Sequence, residues 1–312
     1  MADARYDDFD AIEVLDEVDS TNEELMKRAR AGAPEGTALR ARVQQSGRGR
    51  RSHGWTSPEG GLYLSVLIKP EVPDRVLSGL PVACGIGVAN ALEQIGCEGV
   101  QLKWPNDVVT PKGKLGGILV ELGRSSGEKL AVCGLGINYE PIKMEWRDPN
   151  ALPIAGLVDC MPEGSEAPSL DELAEVIRAS ILEAVAMWTE GVGKAGSAAA
   201  PLTGIKDVYN ELLAYAGERV YVSAPDGSVS ENGVLRGVDS WGRALVELSD
   251  GIVREYDSSA SPSAPSGSSA IPTTSPMRAN VTRAQPKGLQ QRSLPFHSSN
   301  LPWGRCEASP PS

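Results

Sequence analysis

Apolar residues recur along this chain at two periods, and the change from one to the other divides it. Short runs rich in Val, Leu and Ile at 37–44, 62–68, 99–104, 117–122 and 130–138 predict β-strands. At 22–31, 77–95 and 170–188 the apolar positions fall three and four apart, which predicts helices. This mixture over residues 1–213 predicts an α+β domain, a sheet with helices packed on it. From about Ala214 the helical period stops. Short strands are expected at 219–223, 233–239 and 244–249, separated by turn signals at Pro225-Asp226-Gly227, Ser240-Trp241-Gly242 and Asp250-Gly251. Residues 214–257 therefore read as a small all-β barrel. Residues 258–312 are dense in Ser and Pro and poor in apolar side chains. Such a segment buries too little surface to offset its ordering entropy, so it is expected to be disordered.

Composition narrows the class. Of 312 residues, 41% are hydrophobic and 23% charged, which suits a soluble protein with a sizeable core. The net charge of -11 argues against a protein devoted to holding nucleic acid, because phosphate contacts need a basic surface. The acidic stretch 1–10 lacks the apolar core of a secretory signal. The most apolar stretch, 76–92, is interrupted by Ser78, Pro81 and Asn90 and reads as a buried helix, not a membrane span. Cys84, Cys97, Cys133, Cys160 and Cys306 are scattered without a CxxC pair, which points to free thiols in the cytoplasm rather than disulfides or a zinc site. No metal-binding cluster is expected.

Four segments carry candidate chemistry. Asp19-Ser20-Thr21-Asn22-Glu23-Glu24 reads first as a capping box, Thr21 with Glu24, at a helix start. Its hydroxyls and amide could equally read a neutral polar ligand. Next comes the stretch from Gln44 through Gly47-Arg48-Gly49-Arg50-Arg51 to Trp55. Glycines there allow close backbone approach and arginines offer forked donors, as a loop closing on a phosphate requires. A solvated basic turn would rarely continue into a tryptophan and an apolar strand. Lys103-Trp104-Pro105-Asn106-Asp107 ends a strand in a turn, and strand ends are where such sheets gather their chemistry. A plain corner explains Pro-Asn-Asp but not the preceding Lys and Trp. Finally, Lys114 enters a strand past Gly116-Gly117, a pair that lets something approach the backbone. A fifth segment, Gly134-Leu135-Gly136-Ile137-Asn138, lacks the following helix that a dinucleotide fingerprint needs, so that reading is rejected.

Together and in this order, these segments resemble the catalytic domain of biotin–protein ligases, and the resemblance runs from about residue 12 to residue 257. Gly47-Arg48-Gly49-Arg50-Arg51 matches five positions of the family's GRGRRG loop. Lys103 to Asp107 match KWPND in full, and Lys114 to Leu119 match KLAGIL with Gly116 in place of alanine. Two departures stand out. Ser52 replaces the loop's last glycine, and the Ser/Pro-rich segment begins where the family adds a further barrel strand.

The resemblance implies a mixed sheet with flanking helices, related to class II aminoacyl-tRNA synthetases, followed by an SH3-like barrel. It implies ATP-dependent conversion of biotin to biotinyl-5'-AMP and transfer of biotin to a lysine of a biotin carboxyl carrier domain. ATP with Mg²⁺ and biotin would be the substrates. By residue, it places biotin contacts at Ser20, Thr21, Asn22, Gln44, Arg48, Gly49, Arg50 and Lys114, and adenylate contacts at Gly47, Arg50, Trp55 and Asn138. Lys114 would bridge carboxylate and α-phosphate, Arg50 would hold the phosphate, and Asp107 would orient or deprotonate the acceptor lysine, unless it serves only the turn. A lipoate or octanoyl–protein ligase of the same fold is the rival enzyme. A biotin-responsive repressor is the rival from another class. Its DNA-binding module needs roughly 60 residues, whereas 19 precede Ser20, so no specific DNA partner is expected. A homodimer is left open.

Overall fold

Seven strands form the main sheet of the computed structural model, which describes residues 9–50, 54–141, 152–223, 229–258 and 261–263. They are β1 (Glu13–Val18), β2 (Ala38–Gln44), β3 (Leu62–Ile68), β4 (Gln101–Lys103), β5 (Asp107–Thr110), β6 (Gly113–Ser125) and β7 (Glu128–Ile137). Their order is β1-β2-β3-β7-β6-β5-β4, with β1 and β2 parallel and every other pair antiparallel, so the sheet is mixed. The long β6–β7 hairpin turns through two residues, Ser126 and Gly127, both at positive φ, which matches the twist that tight hairpins need.

Helices cover both faces of this sheet. α1 (Thr21–Arg30) lies across β2, β3, β6 and β7. Its Leu25, Met26 and Ala29 form a core with Leu39, Leu67, Leu130 and Val132. α2 (Leu80–Gln94) and α3 (Leu170–Ala195) pack on each other. Neighbouring residues of a strand point to opposite faces. Leu39 reaches the α1 core while Arg40 donates from Nε to Asp171 of α3 at 2.8 Å, so α1 and α3 lie on opposite faces. β3 is buried along its whole length as a result. The helical stretch Asp74–Gln94 is apolar and long enough to cross a membrane, and 67% of its most apolar window is buried inside this fold.

A short α4 (Lys206–Leu212) leads to a second, antiparallel sheet. It contains β8 (Arg219–Ser223), β9 (Val229–Val238), β10 (Ala244–Leu248), β11 (Val253–Tyr256) and β12 (Ser261–Ser263) in the order β11-β10-β9-β8-β12. Val220, Val222, Leu235, Val238, Ala244 and Val246 are buried hydrophobic residues of this sheet. β12 comes from the Ser/Pro-rich segment and pairs with β8, so three residues of the stretch expected to be disordered hold a place in the sheet. The remainder of that expectation, from residue 264 on, lies outside the described residues, as do Arg51, Ser52, His53 and Cys306.

Besides β12, the strands β1, β5 and β11 and the helix α4 escape the sequence reading. The capping box at Thr21 is a correction. Ser20 is the N-cap and has no side-chain cap bond, while the Thr21 hydroxyl and amide both go to Gln44 Oε1. Glu24 instead accepts from Arg28. The capping box that does form is Ser169 with Glu172, at the start of α3.

Candidate active site

One face of the sheet, beside the N-terminus of α1, holds a cavity of about 330 Å³. Ser20, Thr21 and Asn22 reach it from the start of α1, Gln44 from the end of β2, and Arg48, Gly49, Arg50 and Trp55 from the following loop. Asp107 and Lys114 line it from β5 and β6. The segments singled out in the sequence are therefore brought together, although they are spread over more than 100 residues.

The loop is a hairpin arm. Gln44 pairs with Ser57, Arg48 pairs with Gly54, and the Trp55 amide donates to the Gly47 carbonyl at 2.8 Å. Gly47 is not among the cavity-lining residues, and a Cβ there would run into the Trp55 carbonyl and lie 2.7 Å from Ser57 Oγ. Its role is to let the arm close on itself. Asn138 also lies outside the cavity lining. Its amide donates from Nδ2 to the Lys114 carbonyl at 3.3 Å, and its own N–H reaches the Leu115 carbonyl at 2.9 Å. Asn138 thereby braces the strand that carries Lys114.

The cavity lining falls into two groups of different chemistry. In one part, the floor, the lining residues Ser20, Thr21 and Asn22 are uncharged and each less than 5% exposed, and Thr21 and Asn22 are held by hydrogen bonds. Gln44 Oε1 accepts from the Thr21 amide (3.0 Å) and hydroxyl (3.1 Å), and Gln44 Nε2 donates to Ser57 Oγ (2.8 Å). Asn22 Nδ2 donates to the Leu119 carbonyl (3.2 Å) and to Glu121 Oε2 (2.9 Å). In the other part, the rim, Lys114 Nζ lies 2.7 Å from Asp107 Oδ1, and Lys103 Nζ lies 3.8 Å from Asp107 Oδ2. Desolvation pushes the Lys103 ammonium below its ordinary value; the Asp107 charge opposes that shift and the Lys114 charge adds to it. Lys114 also stands 5.4 Å above the Trp55 ring, within reach of a cation–π attraction. Arg48 pairs with Glu23 and, at 3.4 Å, with Glu121, while Arg50 Nη2 donates to the Ser258 carbonyl at 2.8 Å.

Several contributors were not foreseen. Lys103 was noticed only as part of its motif, yet it completes a Lys-Asp-Lys cluster. Trp104 is buried, and its Nε1 donates to the carbonyl of Gly242, in the turn between β9 and β10, at 3.0 Å, which gives the tryptophan before the corner a structural role. Asn106 clamps that corner to β6, with its carbonyl accepting from the Ile118 amide at 2.9 Å. Gly117 and Gly136 are paired across β6 and β7, and the Trp55 indole lies against both. Gly134, opposite Ser65, leaves room for the Asn22 amide. The Gly-x-Gly signal was thus real, but the groups it admits are protein side chains. Tyr215, at φ 63, is buried beside this corner, and burial and then the Asp107 charge raise its hydroxyl to about 12.

Residues 14–138 match the Biotin/lipoate A/B protein ligase family. Across 44% of its length, the chain is 40% identical to the bifunctional ligase/repressor BirA of Escherichia coli, of which the match spans 43%. It is 28% identical to the biotin–[acetyl-CoA-carboxylase] ligase of Mycobacterium tuberculosis, over 76% of this chain and 83% of that protein. Among solved structures, the biotin protein ligase of Aquifex aeolicus in complex with biotin and ATP superimposes with a TM-score of 0.65 at 29% identity, covering 82% of this chain and 100% of that one. A point variant of the same protein in complex with biotin gives 0.64 at 30% identity, covering 83% and 100%.

Proposed function

This chain belongs to the biotin protein ligase family, and from that premise we propose that it converts biotin and ATP to biotinyl-5'-AMP and pyrophosphate, then transfers biotin to a lysine of a biotin carboxyl carrier domain. The observation that carries the reading is the division of one cavity into a neutral, buried, hydrogen-bonding floor and a cationic rim. Biotin has the same division: a neutral ureido ring at one end and a carboxylate at the other. Ser20, Thr21, Asn22 and Gln44 read the ring.

Carboxylate and α-phosphate are both anions, so bringing them together needs fixed positive charge where negative charge develops. Lys114 supplies it between the two groups, exchanging its Asp107 contact for them. Arg50 holds the phosphate, with Arg48 and Gly49 shaping the arm over the ring and Trp55 walling the adenylate. Mg²⁺, carried in as part of the Mg-ATP substrate, would supply charge neutralisation at the pyrophosphate. Once Lys114 has turned to the adenylate, the Asp107 carboxylate is available to orient the acceptor amine and take its proton. Gly47 and Asn138 support the arm and the Lys114 strand.

A polar floor favours this reading over a lipoate or octanoyl ligase, whose acyl tail offers few groups for Thr21 and Gln44 to bond. The carrier would belong to a biotin-dependent carboxylase, the second sheet reads as the SH3-like barrel of the family, and the buried free thiols suit the cytoplasm. The repressor activity in the E. coli protein's name is not carried over, given a net charge of -11. The decisive test is to incubate the protein with biotin, Mg-ATP and an acceptor domain and weigh the acceptor by mass spectrometry. An acceptor of unchanged mass would overturn the proposal.

A further inference from the structure

The four cysteines of the described residues stand as two contacting pairs in different surroundings. Cys84 of α2 is hydrogen-bonded to Cys133 of β7, and both are 0% exposed in the core. Cys97, just past the end of α2, is hydrogen-bonded to Cys160, and both are 4% exposed. The backbones are fastened at the same place, because the Glu98 amide donates to the Cys160 carbonyl at 2.8 Å. Cys160 closes a short helical turn whose other residues, Val158 and Asp159, are exposed, which puts it at the edge of the core.

The setting of Cys160 favours its thiolate. Its Sγ lies 3.3 Å from Thr110 Oγ1, and that hydroxyl accepts from the Lys112 amide at 3.3 Å, which leaves its hydrogen for the sulfur once the sulfur is charged. The Cys97 thiol, with this hydroxyl and the Lys112 charge, brings the Cys160 thiol down to about 7, against burial and the Asp159 charge. The same contact with Cys160, together with burial, pushes the Cys97 thiol up, so Cys97 keeps its proton. Cys84 is likewise pushed up, by the Cys133 thiol and by burial. The thiolate is the nucleophile, so the edge pair holds one reactive sulfur beside a second that can answer it.

We propose that Cys97 and Cys160 are a peroxide-reactive dithiol, with Cys160 the attacking sulfur and Cys97 the resolving one, while Cys84 and Cys133 stay reduced. The Cys160 thiolate attacks one oxygen of hydrogen peroxide. The O–O bond breaks, the departing hydroxide takes up the proton that Cys160 had released and leaves as water, and Cys160 becomes a sulfenic acid. Cys97 then attacks that sulfur. The S–S bond forms, the S–O bond breaks, and the hydroxide leaves with the Cys97 proton as a second water. Two thiols are oxidised and one peroxide is reduced. The sulfurs are already in contact, so a small approach brings them to bonding distance. The bond ties the end of α2 to residues 153–160. In that segment the Pro153 carbonyl accepts from the Lys114 amide at 2.7 Å, and the Ala155 amide donates to the Lys114 carbonyl at 2.9 Å. Oxidation therefore stiffens the support behind Lys114.

The test treats the full chain with hydrogen peroxide in modest excess, quenches it, alkylates the remaining thiols under denaturing conditions and maps the peptides by mass spectrometry. A linked Cys97–Cys160 peptide short of two hydrogens is expected, reversed by dithiothreitol, with Cys84 and Cys133 fully alkylated. The linked form should melt several degrees above the reduced one, since the bond closes a long loop. Cys97→Ser should stop at a sulfenic acid on Cys160, caught by dimedone, and Cys160→Ser should leave Cys97 a thiol. Thr110→Val should slow the linkage several-fold. The wild-type map decides even where a variant fails to fold. The proposal is overturned if Cys97 and Cys160 both stay alkylatable under peroxide that converts glutathione to its disulfide. It is equally overturned if Cys84 and Cys133 oxidise as fast, or if dimedone marks Cys97 in Cys160→Ser.

Discussion

The floor and the rim of the cavity come from different elements, the start of α1 and the end of β2 against β4, β5, β6 and the loop after β2, and are held by different forces. The floor is neutral, buried and fixed by hydrogen bonds to groups that cannot move without unpacking α1 from the sheet. The rim is charged and partly exposed, and its cations rest on carboxylates: Lys103 and Lys114 on Asp107, Arg48 on Glu23 and Glu121. A neutral ring is best read by groups already in place, since preorganisation lowers the cost of ordering on binding. Anionic phosphate and carboxylate are best met by cations whose present partners can be exchanged for them. Changes at the rim should therefore alter chemistry with little effect on the fold, and changes at the floor should alter binding and stability together.

The largest expected effect sharpens that division. Lys114→Ala should slow adenylate formation by about 2–4 kcal/mol of barrier, as loss of a preorganised charge does elsewhere. Biotin affinity should fall with the lost carboxylate contact, while the melting temperature holds nearly steady. Pyrophosphate release and a thermal melt measure the two sides. Adenylation at the wild-type rate would falsify the assigned role.

Next in size is Arg50→Ala. Losing a forked, charged phosphate contact removes about 1.5–3 kcal/mol of hold on the adenylate. The variant should leak biotinyl-adenylate, which then labels lysines on bystander proteins. Arg50 also donates to the Ser258 carbonyl, so a small drop in ligand-free stability is expected and should not depend on biotin. Unchanged acceptor selectivity, with full stabilisation by biotin plus ATP, would return Arg50 to a plain surface residue.

Gly134→Ala tests the floor. The added methyl would run into the Asn22 carboxamide, which is clamped by Leu119 and Glu121 and cannot swing away. Overpacking of this kind costs about 1–3 kcal/mol, and here it should appear in both the melting temperature and the biotin affinity. Calorimetry showing weakened biotin binding with no change in melting temperature would break the coupling claimed for the floor.

How much of this was legible in the sequence follows the same line. Rim residues lie in short, charged, glycine-punctuated motifs, and such strings are visible because arginine and lysine clusters rarely interrupt an apolar pattern. The floor was visible only where it coincided with a helix start. Ser65 sits as one polar residue in the apolar run Leu62–Ile68, and nothing in that run shows that its hydroxyl will donate toward Thr21. Lys103 and Glu121 acquire their roles from partners across the sheet. In the fold, the strands with strong apolar runs were found within a few residues. β1 was missed because Glu13, Asp16 and Glu17 mask an edge strand, and β5 because its four residues follow a Pro-Asn turn and read as more of it. The extent of the second sheet was hidden by composition, since Ser261–Ser263 pairs through its backbone.

The smallest expected effect probes whether rim and floor are separable at all. Glu23→Gln breaks one ion pair of Arg48, whose side chain is 47% exposed against 61% for Glu23. An exposed pair of this kind contributes about 0–1 kcal/mol. The melting temperature should therefore move by less than about 3 °C in a chain of this size, and less again at high salt. Glu121→Gln is a different case, because that carboxylate receives both the Arg48 guanidinium and the Asn22 amide. A glutamine there can keep an acceptor for Asn22 but not the charge for Arg48. If rim and floor are independent, Glu121→Gln should resemble Glu23→Gln, with biotin affinity unchanged and the two substitutions additive. If Glu121 joins them, biotin affinity should fall as well, and the double variant should depart from additivity by more than about 0.5 kcal/mol. Titrations with biotin on the two single variants and the double one decide it, and the shared carboxylate favours the second outcome.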